Sequence, residues 1–211
     1  MQQQFDVDEI STQLADLGFP PLPEPLPAAV TDAHTHMDTT TAYAALPADL
    51  NLASARAVGV HRMVQIGCDV PGSRWAVDLA AQEPRIIAAV AVHPNDVARS
   101  NDEQCATDLA AIEQLASAGD HVRAVGECGL DYFRTDPRTD DGLAGIERQK
   151  WAFRRHIEIA NAHHLTLAIH ARRAEAKKAV AIAGDALAHA ADILDEVGWP
   201  QRVIWHCFSG D

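Results

Sequence analysis

From Val30 onward, short apolar runs rich in Val and Ile alternate with longer stretches whose apolar residues recur at helical spacing. The runs at 30–36, 62–69, 86–94, 123–132, 166–171 and 202–210 predict strands. Helices are expected between them, beginning near Pro47, Gly72, Asp102, Gly142 and Ala174, with Pro47, Pro71 and Asp102 as start signals. Strands that alternate with helices make βα units and a parallel sheet. The run Ile86-Ile87-Ala88-Ala89-Val90-Ala91-Val92 has no polar interruption, as a parallel strand covered on both faces requires.

Such units can build an open doubly wound sheet or a barrel, and the polar residues choose between them. Nearly every predicted strand ends in His, Asp or Glu: Asp32, His34 and His36; Asp69; His93; Glu127 and Asp131; His170; His206. A (β/α)8 barrel gathers its site from the C-terminal ends of many strands, whereas an open sheet concentrates it at one switch point. No Gly-rich phosphate loop follows the first strand. The expected fold class is therefore α/β, a (β/α)8 TIM-type barrel. About six βα units are present in this chain, which is expected to be C-terminally incomplete.

Residues 1–29 read as a separate leader. The segment from Asp6 to Leu17 has weak helical periodicity. The run Phe19-Pro20-Pro21-Leu22-Pro23-Glu24-Pro25-Leu26-Pro27 excludes a helix or a central strand. A stiff extended linker is the preferred reading and a proline-rich peptide ligand the alternative. Residues 30–211 form the expected barrel domain.

Charge narrows the function classes. The chain has 30 acidic against 17 basic residues and a net charge of −13. That field repels nucleic acid at long range, which excludes a non-specific coat protein but suits an enzyme that collects divalent cations. No apolar run approaches ~18 residues, so no membrane span is expected. The N-terminal residues lack a basic region and an apolar stretch, so no signal peptide is expected. Cys68, Cys105, Cys128 and Cys207 form no CxxC pair, and a cytoplasmic location with reduced thiols is expected.

Four constellations carry chemistry. In Asp32-Ala33-His34-Thr35-His36, residues two apart in an extended chain share a face, so His34 and His36 can grip one ion together. In Val125-Gly126-Glu127-Cys128-Gly129, a carboxylate interrupts an apolar strand, and burial obliges it to find a cation or a proton. The bland alternative is a salt bridge to an arginine. His170 and His206 each end an apolar run. Four imidazoles and one carboxylate at one barrel mouth suit two divalent ions. His93, before Pro94, reads as a substrate-side group. Arg134, Arg172 and Arg173 can touch flanking phosphates, or they are solvated surface residues. The cysteines near strand ends read as small packing residues.

These strand ends resemble the TatD-type deoxyribonucleases. The resemblance rests on Asp32 to His36, Gln65 to Asp69, Val92-His93-Pro94, Gly126 to Tyr132 and His206 to Gly210. It extends to the helix through Arg148, Gln149, Phe153 and His156 into the strand ending at His170. It implies a metal-dependent hydrolase on an amidohydrolase-like barrel, a 3′ exonuclease with single-stranded DNA as substrate. His34 and His36 would hold one metal, and Glu127 would bridge it to a second held by His170 and His206. Two divalent ions are implied, with Mg, Mn and Zn all compatible. The family's further aspartate, on its last strand, would lie beyond Asp211. The chain also has Ala171-Arg172-Arg173-Ala174 where the family has an Arg-Asp pair, and a connection at 174–184 that extends a helix. No membrane and no obligatory protein partner are expected. Rival readings are an amidase or deacetylase on the same barrel, against which Glu127 argues, and a truncated non-catalytic fragment.

Overall fold

The computed structural model describes residues 6–175 and 177–208, with the backbone alone at 177–179. Six strands, β1 (Val30–Thr35), β2 (Val60–Ile66), β3 (Ile86–Val90), β4 (Val122–Asp131), β5 (Thr166–Arg172) and β6 (Val203–Trp205), form one sheet. Every neighbouring pair is parallel. Their spatial order is their chain order, β1-β2-β3-β4-β5-β6. A doubly wound sheet would reverse direction partway along. Here each unit adds to the same edge, which is how a (β/α)8 barrel is wound.

The helices are α1 (Val7–Asp16), α2 (Met37–Ala44), α3 (Ala48–Ala57), α4 (Val70–Gln82), α5 (Pro94–Arg99), α6 (Asp102–Ala116), α7 (Asp140–Ala162), α8 (Lys177–Ala183) and α9 (Ala186–Val197). One strand face, with Met63, Ala88, Val90, Leu167 and Ile169, packs on helix residues such as Ile112, Phe153, Ile157 and Ile193. The alternate positions Ile66, Ala89 and Ala124 form a smaller cluster on the other face. Among the described residues, no helix is long and apolar enough to cross a membrane.

Several elements differ from expectation. The strand expected at 86–94 ends at Val90, because His93 caps α5 and Pro94 opens it. Likewise α2 starts directly after His36. The single extended helix expected from Ala174 is two: Gly184, at φ +77°, follows α8, and the Asp185 carboxylate caps α9 through the Leu187 N–H. The last strand is only Val203–Trp205, and residues 209–210 of the expected run lie outside the described residues. Near the N-terminus, Asp6 and Glu9 form a reciprocal cap on α1. Ile10 and Leu14 of this helix pack with Leu46 and Leu50, and Phe19 and Leu22 join them. The Leu26 N–H donates to the Val58 carbonyl at 2.9 Å, which ties the proline segment to the start of β2.

Strand ends at the barrel mouth leave backbone groups beyond the reach of the ladder, and each left unsatisfied in the interior costs about 1–3 kcal/mol. Buried polar side chains satisfy them. Gln65 accepts from Met37 N (2.9 Å) and donates to Asp38 Oδ1 (2.9 Å), which pins the turn after His36. Ser73 Oγ bridges the Ala91 N–H and C=O at 3.1 and 3.2 Å. Gln149 accepts from Asp131 N (2.7 Å) and donates to Thr135 Oγ1 (2.9 Å). His156 donates from Nδ1 to Ala152 O (2.8 Å) and accepts at Nε2 from Val92 N (3.1 Å), one residue before His93.

Burial, against a weaker opposing hydrogen bond to Ala152, pushes the His156 ring down from 6.5 to about 4, so the folded protein keeps it neutral. Between those values the unfolded chain takes up a proton that the folded chain refuses. The stability from His156 is therefore full above pH 6.5 and is lost as pH falls toward 4. In urea unfolding, His156→Leu should cost about 1–3 kcal/mol near neutral pH, through the orphaned Val92 N–H. The difference from wild type should shrink at acid pH. An undiminished difference there would contradict this role.

Candidate metal centre

The C-terminal ends of β1, β2, β4 and β5, with the turn after β6, converge on Glu127, which is only 5% exposed. The β4–β5 ladder is interrupted between Val125 and Cys128, where β4 carries one more residue than β5. Such a bulge breaks the alternation of side chains and re-aims one of them. The flanking glycines allow close approach: a Cβ on Gly126 would collide with Ala168, and one on Gly129 with the His170 carbonyl.

The partners found for Glu127 among the described residues are imidazoles rather than arginines. His170 Nδ1 lies 2.8 Å from Oε1, and His34 Nε2 lies 3.2 Å from Oε2. Burial by itself would raise the carboxyl's pKa. The hydrogen bonds from His170 and His34 outweigh burial and hold Glu127 far below the usual carboxylate range.

His170 also meets Asp131 through Nε2, at 3.1 Å. With a carboxylate at each ring nitrogen, His170 donates twice and is an imidazolium in this arrangement. Burial opposes that charge, but Asp131 and Glu127 prevail and push the ring up to about 9. Asp131 itself is held low against burial by His170 and by the Arg134 N–H.

The structure brings His34, His36, His170 and His206 together around Glu127. His34 Nε2 and His36 Nε2 are 3.2 Å apart. The rings of His34 and His206 stack at 3.6 Å. Three groups of ligand atoms, each mutually within 4.8 Å, could hold a cation: His34–Glu127–His206, His36–Cys68–Glu127 and His93–Glu127–His170. Glu127 belongs to all three. His206 thus lies against His34, while His170 lies nearer His93.

His93 is in one group by distance, but its bonding points elsewhere. Its Nδ1 accepts the Asn95 N–H at 3.2 Å, so a neutral ring carries its proton on Nε2. A ring with that proton is a hydrogen-bond donor, and binding a cation there would require the other tautomer and the loss of the Asn95 bond. Burial, and then His170, pushes His93 down to about 4. It is neutral near pH 7.

Two groups near the cluster were not expected there: Asp131 carries no assigned role from its sequence, and Cys68 reads as a packing residue. Asp131 orients His170, and its signal was visible in the carboxylate two residues after Gly129. Cys68 reaches the ligand cluster with Sγ 3.8 Å from His36 Nδ1. A thiol between Gly67 and Asp69 carries no sequence signal that separates ligand from filler.

A mouth cavity of about 460 Å³ is lined by His93, Asn95, Glu127, Asp131, Arg134, His170, Arg172 and His206, among others. The Arg172 guanidinium lies 3.6 Å over the Phe133 ring. The cavity is therefore a cluster of imidazoles and carboxylates with two arginines at its rim.

Comparison with known proteins meets this geometry. The TatD related DNase family profile matches residues 31–211. The "uncharacterized metal-dependent hydrolase TatD" of Mycobacterium tuberculosis is 36% identical over 180 residues, covering 85% of this chain and 61% of that protein. The "3'-5' ssDNA/RNA exonuclease TatD" of Dickeya dadantii is 34% identical over 160 residues, covering 75% of this chain and 52% of that protein. A crystal structure of YJJV, a TatD homologue from Escherichia coli K12, superposes with a TM-score of 0.63 at 25% identity, covering 86% of this chain and 61% of that one. This chain thus spans roughly 60% of the length of the first of these relatives and about half of the second. A singly wound parallel sheet, strand ends that carry histidines and carboxylates, and a family profile running from β1 past β6 agree, and the chain belongs to the TatD-related DNase family.

Proposed function

We propose that this chain is a metal-dependent phosphodiesterase that removes nucleotides from the 3′ end of single-stranded DNA, using two divalent ions. The observation that carries the reading is Glu127: a buried, ionised carboxylate shared by three groups of ligand atoms at the mouth of a barrel sheet. The donor set fits a divalent ion, since imidazole and carboxylate ligands suit Mg, Mn and Zn. His34 and His36 would hold one ion, His170 and His206 the second, with Glu127 serving both; because His206 stacks on His34, completing the second set requires His206 to swing toward His170. At His170 a cation on Nδ1 would replace the proton now shared with Glu127, while Asp131 keeps Nε2 and fixes the ring. When bound, the ions supply Lewis acidity at the phosphoryl group and a water of lowered pKa.

The chain's own side chains do the rest. His93 offers an Nε2–H to a phosphate oxygen and, being neutral, adds no charge of its own. Arg134 and Arg172 place two cations on the cavity rim. They offset, where the substrate enters, the repulsion from a chain of net charge −13. Arg172 is braced on Phe133, which limits the conformational freedom it gives up on binding. The cysteines are free thiols, which fits a reducing compartment, the cytoplasm. Residues 1–29 we read as a leader and 30–211 as the hydrolase unit.

The test is digestion of 5′-labelled single-stranded DNA. Stepwise shortening from the 3′ end is expected with Mn2+ or Mg2+, and none with chelator. Glu127→Ala should lower the rate by more than about 10²-fold. Turnover at the wild-type rate in that variant, or cleavage of amide but not phosphodiester substrates, would sink the reading. Binding linkage gives a second expectation. A divalent ion at a hundred times its Kd should raise unfolding stability by about 2.7 kcal/mol. Chelator should reverse the gain, and Glu127→Ala should abolish it.

A further inference from the structure

The donor groups around Glu127 are not all of one kind. Two contain only imidazole and carboxylate, while the third, His36–Cys68–Glu127, contains a thiol. We propose that Cys68 is a metal ligand, and that His36, Cys68 and Glu127 form a site for a thiophilic divalent ion, taking Zn2+ in preference to Mg2+. The proposal deepens the metal-hydrolase reading and rests on it for the sharing of Glu127.

Three observations carry it. The first is position. Cys68 follows β2 directly, and its backbone carbonyl accepts the His93 N–H at 2.7 Å, so the residue is fixed at the mouth from both neighbouring strand ends. The second is the direction of the His36 ring. Its Nε2 faces His34 at 3.2 Å, while its Nδ1 faces the Cys68 sulfur at 3.8 Å. His36 can therefore serve either group but, as a neutral imidazole, only one at a time: as a ligand through Nδ1 at the Cys68 site it leaves the ion it would otherwise share with His34. The third is selectivity within the chain. Cys128 is buried and points at the Ala168 carbonyl, at 3.7 Å. Cys105 lies on α6. Among the described residues, Cys68 alone of the thiols joins such a donor group.

The floor of this corner is apolar, with Cys68 packed at the edge of the Ile66, Ala89 and Ala124 cluster. Softness of the donor sets the choice of metal: thiolate selects Zn2+, whereas the hard Mg2+ ion gains little from sulfur. Forming the bond releases the Sγ proton to solvent, so uptake at this site carries a proton out.

The test is optical, on the whole chain loaded with Co2+ as a reporter for Zn2+. A near-ultraviolet sulfur-to-cobalt charge-transfer band is expected in the wild type and should vanish in Cys68→Ser, while the weak visible cobalt bands remain in both. Visible bands without the charge-transfer band in the wild type would overturn Cys68 as a ligand and leave the metal-centre reading standing. So would a charge-transfer band that survives Cys68→Ser. Failure to bind cobalt at all would overturn both. Chelator competition should show Zn2+ affinity falling at least about tenfold in Cys68→Ser, with Mg2+ affinity unchanged. The wild type provides a measurement that does not depend on the variant folding. Zn2+ but not Mg2+ should slow alkylation of Cys68, mapped by mass spectrometry, by about tenfold or more. Equal labelling with and without Zn2+ would contradict the proposal.

Discussion

Glu127 is an ionised carboxylate on a strand that is otherwise apolar, and an uncompensated charge there would cost several kcal/mol. Much of the rest of the barrel mouth can be understood as compensation for it. The glycines on either side let β5 come close, the bulge in β4 turns the carboxylate toward the mouth, and imidazoles from β1 and β5 reach it. Asp131 then balances part of the positive charge that His170 acquires. The mouth is thus one coupled set of charges. A change at Glu127 leaves His170 with one carboxylate instead of two.

That set needs a stiff frame, because a parallel sheet supplies hydrogen bonds along the ladder but none past its ends. Gln65, Ser73, Gln149 and His156 fill this gap, each at full or nearly full burial. Each ties a strand end to a neighbouring element, and each tie lies within a few residues of a group in the cluster: Gln65 beside His36, Ser73 and His156 behind His93, Gln149 behind Asp131. Loop-borne side chains are thereby held with the precision that ligand geometry requires. The family profile covers the same strand ends, and the crystal structure of the E. coli homologue shares the winding.

Much of this was legible in the sequence. The period of the apolar runs announced parallel strands, and the singly wound order in space agrees with the barrel chosen from polar residues at strand ends. His34, His36, Glu127, His170 and His206 could be named because residue types that are expensive to bury interrupted apolar runs. The pairing of those residues was not legible. The stack of His34 on His206 depends on how far the sheet curls, which no local pattern encodes. The break at Gly184 was missed because Ala-rich sequence on both sides reads as one helix, although Gly-Asp there supplies both a stop and a cap. The docking of α1 rests on Ile10 and Leu14 finding Leu46 and Leu50, a contact between segments that look independent. Cys68 reads in the sequence as a packing residue, because a cysteine's burial and its neighbours, not its spacing, decide whether it packs or ligates.

The central claim is that the cluster around Glu127 holds divalent cations. Crystals grown with Zn2+ and measured on both sides of the zinc absorption edge test it directly. The account predicts anomalous peaks at coordination distance from Glu127, about 2.0–2.2 Å from its oxygens, with imidazoles of this cluster and the Cys68 sulfur among the other ligands. Zinc found only at surface sites, with Glu127 still bonded to His34 and His170, would show that the carboxylate is neutralised by imidazolium alone and would contradict the account.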